Sequence, residues 1–333
     1  MNPEQQERSD RERATRVLPP VDHPELTPAR VHARRQHLLN EFGGHASRSA
    51  PIRRLFPGRR MVLVLGAATA VGATVFALGL GTDGTTARQD GPPASAASVQ
   101  WLEKAALAAN AKPILPVRAD QYSYVKVVGH TTVLSEKEGG GMERLREDES
   151  MEQWTSVNGS ERTMQRKGGN DQLLPDPQGK ANLNSPTYNF LAALPTDPAV
   201  LLKRIHDDAV KNHGGGSDST TGPDQQAFVT IGDLLRGSVA PPATTAALYR
   251  AAALIPGVVT VPDAVDATGR HGTAVARVHD GERTEWIFDK STVRLLGERT
   301  VLTKDNAWGK AGTVVTSVAL MTSGIVDRAG QVQ

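Results

Sequence analysis

GTAVARV (272–278), RTEWIF (283–288), VRLLGERTVL (293–302) and GTVVTSVALM (312–321) are the stretches whose reading decides the fold. Each is rich in β-branched or aromatic residues, and turn residues stand between them: Asp280-Gly281, then DKST at 289–292, then a loop through Trp308. Asp-Gly between alternating runs is a strong hairpin signal, because both central positions of a type I′ turn take positive φ. An antiparallel meander follows. Along RTEWIF, Trp286 and Phe288 alternate with Glu285 and Ile287, which fits a sheet with one face on helices and the other closer to water.

Helices precede the meander. Asp197 stands before Pro198, where the proline holds it out of the helical region as an N-cap requires, and Leu201, Leu202, Ile205 and Ala209 then line one face until Gly214. DQQAFVTIGDLLRG (224–237) and PPATTAALYRAAALIPG (241–257) read as two further helices, the second opened by Pro241-Pro242 and closed by Pro256-Gly257. Upstream, SVQWLEKAALAANA (98–111) reads as a helix. QYSYVKVVG (121–129) reads as a strand with Tyr122 and Tyr124 on one face and Val125 and Val127 on the other. MEQWTSV (151–157) and SERTMQR (160–166) flank Asn158-Gly159, which predicts a tight two-residue hairpin. The fold class is therefore α+β, an antiparallel β-sheet covered on one face by helices in one domain over 99–333.

Ahead of that domain lies MVLVLGAATAVGATVFALGLG, Met61 to Gly81, a run without a charge. About 20 apolar residues suffice to cross a bilayer as one helix. Residues 1–60 contain twelve Arg, among them Arg53, Arg54, Arg59 and Arg60 beside the run, whereas 82–101 contain only Arg88. Arginine flanking predicts a cytoplasmic amino terminus and an extracytoplasmic carboxyl-terminal domain at the cell membrane. Both the 60-residue leader and the apolar run exceed the limits of a cleaved signal peptide, so the run reads as a retained signal anchor. Gly66 with Ala70 and Ala68 with Gly72 give small-xxx-small spacing, which admits a homodimer. Residues 82–98, rich in Gly, Pro, Ser, Thr and Ala, read as a flexible linker.

The tail itself divides. Residues 1–25 are polar and charged, too poor in apolar side chains to offset ordering, and read as disordered. Thr27-Pro28 then opens a helix over 27–42 on which Val31, Leu38, Leu39 and Phe42 form one apolar stripe, suited to docking a cytosolic protein or to lying on anionic lipid. The tail carries a net +5 and residues 82–333 a net −3. The basic surplus therefore belongs to topology, and a nucleic-acid partner is not implied.

Chemistry finds little support. The chain has no Cys, which excludes disulfides, thiolate metal sites and a cysteine nucleophile. Gly79, Gly81 and Gly84 match a dinucleotide fingerprint only on paper, since they end the apolar run and enter the linker. His206, Asp207, Asp208 and His213 lack metal-site spacing. Ser123 and Lys126 fit S-x-x-K, but on a strand they point to opposite faces. Pairs such as Glu143 with Glu147, or Asp263 with Asp266, read as surface acids. No catalytic, cofactor or metal residue is predicted, and the chain reads as a non-enzyme. The aromatic residues read as core, or as the lining of an apolar ligand cavity between sheet and helices.

PTYNFLAALPTDPAVLLKRI (186–205), FVTIGDLLRGSVAPPATTAALYRAAALIPGVV (228–259), DATGRHGTAVARV (266–278) and TEWIFDKSTVRLLGER (284–299) resemble the shared blocks of an actinobacterial family of single-span membrane proteins without an established activity. The resemblance runs from about Trp101 to Gln333. The succession LIPGVV, G-x-A-V, E-W-I-F-D and L-L-G-E-R also looks like the half-barrel of the LolA and RseB group, which carries lipoproteins or senses lipids and controls an anti-sigma factor. These resemblances imply an envelope sensor or regulator linked to a sigma factor, or a membrane-anchored carrier of lipid or lipoprotein. A zinc-type H-x3-C-x2-C motif of anti-sigma domains is lacking.

Overall fold

A computed structural model describes residues 92–113, 116–136, 141–174, 181–213 and 222–333. The apolar run Met61 to Gly81, its flanking Arg53, Arg54, Arg59 and Arg60, and the stripe Val31, Leu38, Leu39 and Phe42 lie outside these residues. Among the described residues no helix is long and apolar enough to cross a membrane.

Among the described residues, five helices and ten strands follow one another as α1 (Ala96–Asn110), β1 (Tyr122–Glu136), β2 (Met142–Asp148), β3 (Met151–Ser156), β4 (Met164–Lys167), β5 (Asn170–Leu173), α2 (Tyr188–Ala192), α3 (Pro198–His213), α4 (Gly222–Gly237), α5 (Pro242–Ala252), β6 (Val258–Val265), β7 (His271–His279), β8 (Glu282–Phe288), β9 (Leu295–Leu302) and β10 (Val314–Val326). The expected meander forms as β7 to β10, β6 pairs with β7 ahead of it, and β1 joins the far edge of β10. Strand β1 is long enough to serve two partners on its other edge. Tyr122 to Val127 pair with β3, and His130 to Glu136 pair with β2. All pairings are antiparallel, so the described residues form an α+β fold with one ten-stranded sheet.

Local signals act where they were expected. Asp280 and Gly281 take φ of 43° and 79° between the paired residues His279 and Glu282. Asp197 Oδ1 accepts from the backbone N–H groups of Ala199 and Val200, and Leu201, Leu202, Ile205 and Ala209 are buried. The helices pack on one face of the sheet in a single apolar cluster that joins Leu102 of α1, Leu201 and Ile205 of α3, Phe228 and Ile231 of α4 and Leu248 of α5 to Val275, Trp286 and Phe288. Its centre is a parallel stack of Phe228 on Trp286, with ring centroids 4.0 Å apart and planes within 5°. Trp154, Trp286 and Tyr124 are all at most 1% exposed, so these rings are core.

Four expectations need correction. The linker ends before residue 98: Ser95 is the N-cap of α1, its Oγ accepting from Ser98 N–H, while Ser98 Oγ donates to the Val258 carbonyl and ties the helix start to β6. Asn158-Gly159 does not close a two-residue hairpin, because Trp154 pairs with Met164 rather than Thr163. The longer loop keeps Trp154 and Met164 on one face, where both pack with Tyr124. Asn158 instead caps the bend, its Oδ1 accepting from Ser156 Oγ and Ser160 N–H.

The outer face of the meander is also drier than its alternation suggests. Ile287 is buried with Ala264, Ala274 and Leu296, and Glu285 has a fully buried side chain held by Arg283 at 2.6 Å and Arg299 at 2.7 Å. The loop after β6 laps this face, with Arg270 donating to the Leu296 and Leu320 carbonyls, and the carboxyl-terminal segment laps Trp154, whose Nε1 donates to the Gln331 carbonyl. Finally, β2, β5, β6 and α2 were not foreseen.

Gly232 of α4 sits where the helix comes closest to the sheet. A Cβ there would lie 2.5 Å from Trp286 Nε1 and 2.8 Å from Glu298 Oε2. Helix propensity alone would make Gly232→Ala stabilising by up to about 1 kcal/mol. Overpacking reverses the sign, and we expect denaturant unfolding of Gly232→Ala to show a loss of about 1–3 kcal/mol.

Candidate functional site

The most unusual chemistry in the domain lies at the seam between α4 and the sheet. Arg236, in the last turn of α4, donates to Asp233 Oδ1 one turn earlier at 2.6 Å. Its Nε lies 4.0 Å from Glu298 Oε2 on β9, and their side chains are 15% and 16% exposed. Glu149, in the turn between β2 and β3, also acts on Arg236 electrostatically. That turn is fixed by the Glu149 N–H donating to the Gly129 carbonyl, where β1 exchanges β3 for β2. Three carboxylates thus share one guanidinium.

Burial raises the proton affinity of all three acids. It pushes Glu298 up to about 7 from the ordinary carboxylate range, with Arg236 opposing and Asp233 adding to the rise. Burial likewise raises Asp233 against the pull of Arg236, and raises Glu149 despite Lys167. Glu298 Oε2, Arg236 Nε and Trp286 Nε1 are buried without a hydrogen-bond partner. Unsatisfied buried polar atoms cost free energy and call for a physical reason.

Glu298 was missed as a site residue because a β-bulge reverses the parity of β9. Phe288 pairs with Leu295 while Ile287 pairs with Gly297, leaving Leu296 extra. Leu295 and Glu298 therefore both face the helices, and Leu296 and Arg299 face outward. Strict alternation from Leu295 would have sent Glu298 to solvent. Gly297 inside the strand is the one signal that could have warned of a bulge.

Other polar groupings stay apart. His206 Nε2 lies 3.2 Å from Asp224 Oδ1 on α4, while Asp207 takes Lys203 Nζ at 2.7 Å, so the cluster on α3 is split. No group of three or more metal-ligating side chains occurs among the described residues. Ser123 is buried on the helix side, while Lys126 reaches Glu152, so the S-x-x-K pair does not meet. Asp263 pairs with His271 and Lys290, whereas Asp266 is enclosed by Thr268 and Arg270. Glu143 and Glu147 lie on β2.

An apolar cavity between sheet and helices was one expectation, but side chains of α4 and α5 fill that space. A small void of about 10 Å³ lies under Ser123 and Tyr188, the size of about one water. An open groove of about 350 Å³ on the outer side is lined by His130, Arg146, Asp148 and Ser150 with Val128 and Ala267. Burial, and then Arg146, hold His130 below its usual range.

Compared with known proteins, the chain matches no family model and no curated sequence.

The cluster is held together by its only guanidinium. Arg236→Met strands Asp233 and Glu298 with no cation between them, and chemical denaturation should show a loss of about 3 kcal/mol, the lower end for breaking a buried pair. Adding Glu298→Gln to Arg236→Met should recover part of that loss, because one buried charge is then removed.

Proposed function

We propose that this chain is a non-enzymatic single-pass membrane protein whose extracytoplasmic domain senses the state of the envelope and whose cytoplasmic tail passes the signal to a partner of the sigma-factor kind. The observation that carries this reading is the uncharged run Met61 to Gly81, with Arg53, Arg54, Arg59 and Arg60 on one side and a single Arg in the next twenty residues on the other.

The way the chain enters the domain supports regulation over simple anchoring. Gly257 N–H donates to the Pro92 carbonyl and Ser95 N–H donates to the Val258 carbonyl, so the chain is fastened to β6 as soon as the described part begins. Between Gly81 and Pro92 there are ten residues, a reach of at most about 36 Å. A short leash tied directly to the sheet edge couples the domain to the membrane. The carrier reading ranks second, since the helix-facing side of the sheet is filled by Phe228, Trp286, Phe288 and Leu248 and a lipid would first have to displace α4. The half-barrel likeness of the meander and the helix layer suit either role.

Two measurements test the proposal. A periplasm-dependent enzyme fused after Gln333 should be active in intact cells, and its silence, with a cytoplasmic reporter active instead, overturns the topology. A peptide of residues 1–60 should bind a purified extracytoplasmic-function sigma factor, and Leu38→Asp with Leu39→Asp should weaken that binding at least about tenfold, the scale of one lost apolar anchor. Equal binding by both peptides removes the regulatory role of the stripe.

A further inference from the structure

We propose that Glu298 is the proton-binding element of a latch between α4 and the sheet, in which a proton on its buried carboxyl closes the seam and loss of that proton loosens the end of α4. The inference deepens the sensor reading by naming external pH as an input, and in that respect rests on it.

The geometry leaves Glu298 poorly served as a carboxylate. Arg236 spends its short contact on Asp233 at 2.6 Å and stands 4.0 Å from Glu298. Glu298 Oε2 accepts no hydrogen bond, and neither Arg236 Nε nor Trp286 Nε1 donates one. Oε2 and Nε1 flank the same point above Gly232. No hydrogen bond joins them.

The groups facing the seam are few. From α4 come Asp233 and Arg236; from the β2–β3 turn comes Glu149, with Lys167 at the end of β4 behind it; from β8 comes the neutral indole of Trp286. On β10 the residue opposite Glu298 is Val318, and on β1 the residue opposite Val318 is Gly129, both without charge. With every acid ionised the immediate cluster holds three negative charges against one positive. One proton on Glu298 removes one of them, and burial raises its proton affinity to about 7.

The mechanical consequence follows from what comes after Arg236. Ser238 Oγ donates to the Leu234 carbonyl, and Val239 packs on Val125, Val127 and Val318 of β1 and β10. Loosening the last turn of α4 therefore disturbs the packing of the α4–α5 connection on the strands that branch at Gly129. The sign is fixed by linkage. A carboxyl with raised folded-state affinity adds stability as pH falls from about 7 toward the ordinary carboxylate value, and that stability is lost as pH rises through about 7.

The test uses the full-length protein in detergent micelles. In wild type, hydrogen exchange of the α4 amides from Ile231 to Gly237, corrected for intrinsic rates, should be about tenfold or more faster at pH 8.5 than at pH 5.5. Glu298→Gln should show slow exchange at both pH values. Independently of any substitution at Glu298, the indole N–H resonance of Trp286, identified by its loss in Trp286→Phe, should titrate with a midpoint near 7. Retention of the pH response in Glu298→Gln, an invariant Trp286 resonance, or a midpoint below about 5, the ordinary carboxylate range, overturns the latch. None of these results depends on where the domain resides, so failure of the latch and failure of the membrane topology are told apart by the fusion reporter.

Discussion

The docking of α4 onto β8 is the contact on which the rest of this structure depends. Phe228 and Trp286 stack face to face at the centre of the helix layer, and both are at most 1% exposed. Aromatic pairs of this kind add to the large area each ring buries. Because the stack fixes the height of α4 above the sheet, it leaves room for no side chain at Gly232 and draws Arg236, Asp233 and Glu298 into one dry seam.

That constraint shapes what the domain can do. A sheet whose helix-facing side is occupied by rings and aliphatic side chains offers no ready chamber for a lipid, whereas a seam of shared charge can answer to a proton without any new space. The outer face is closed differently, by the lap of the β6–β7 loop and the return of the carboxyl terminus over Trp154. Both laps end in backbone carbonyls accepting from buried or half-buried donors, which ties them to specific strands. An open groove lies at the branch of β1, lined by His130, Arg146 and Asp148 together with Val128 and Ala267.

Much of the fold was legible because it rests on short-range signals. The Asp280-Gly281 turn, the Asp197 cap and the apolar face of α3 each express a local rule that tertiary packing did not override. Strand β2 was illegible for the opposite reason. MERLRED carries no apolar face, and it is held by backbone pairing to β1 and by Arg144 and Arg146, which bond the Ala307 carbonyl and His130. The error at Asn158-Gly159 came from a rule that is right for exposed hairpins, defeated here by the need to keep Trp154 and Met164 together. The candidate site was hidden by the bulge at Leu296, which moves Glu298 from the surface to the seam. A single extra residue separated a surface acid from a buried one, and strand periodicity cannot register it.

The cooperative stack is accessible to one decisive experiment, a double-mutant cycle on Phe228→Ala and Trp286→Ala read by chemical unfolding. If α4 is positioned by these two rings, the single losses should be non-additive by about 0.5–1.5 kcal/mol, the coupling of a packed aromatic pair. Simple additivity would mean that the rings fill space independently, and the account of α4 as the element held by this contact would be wrong.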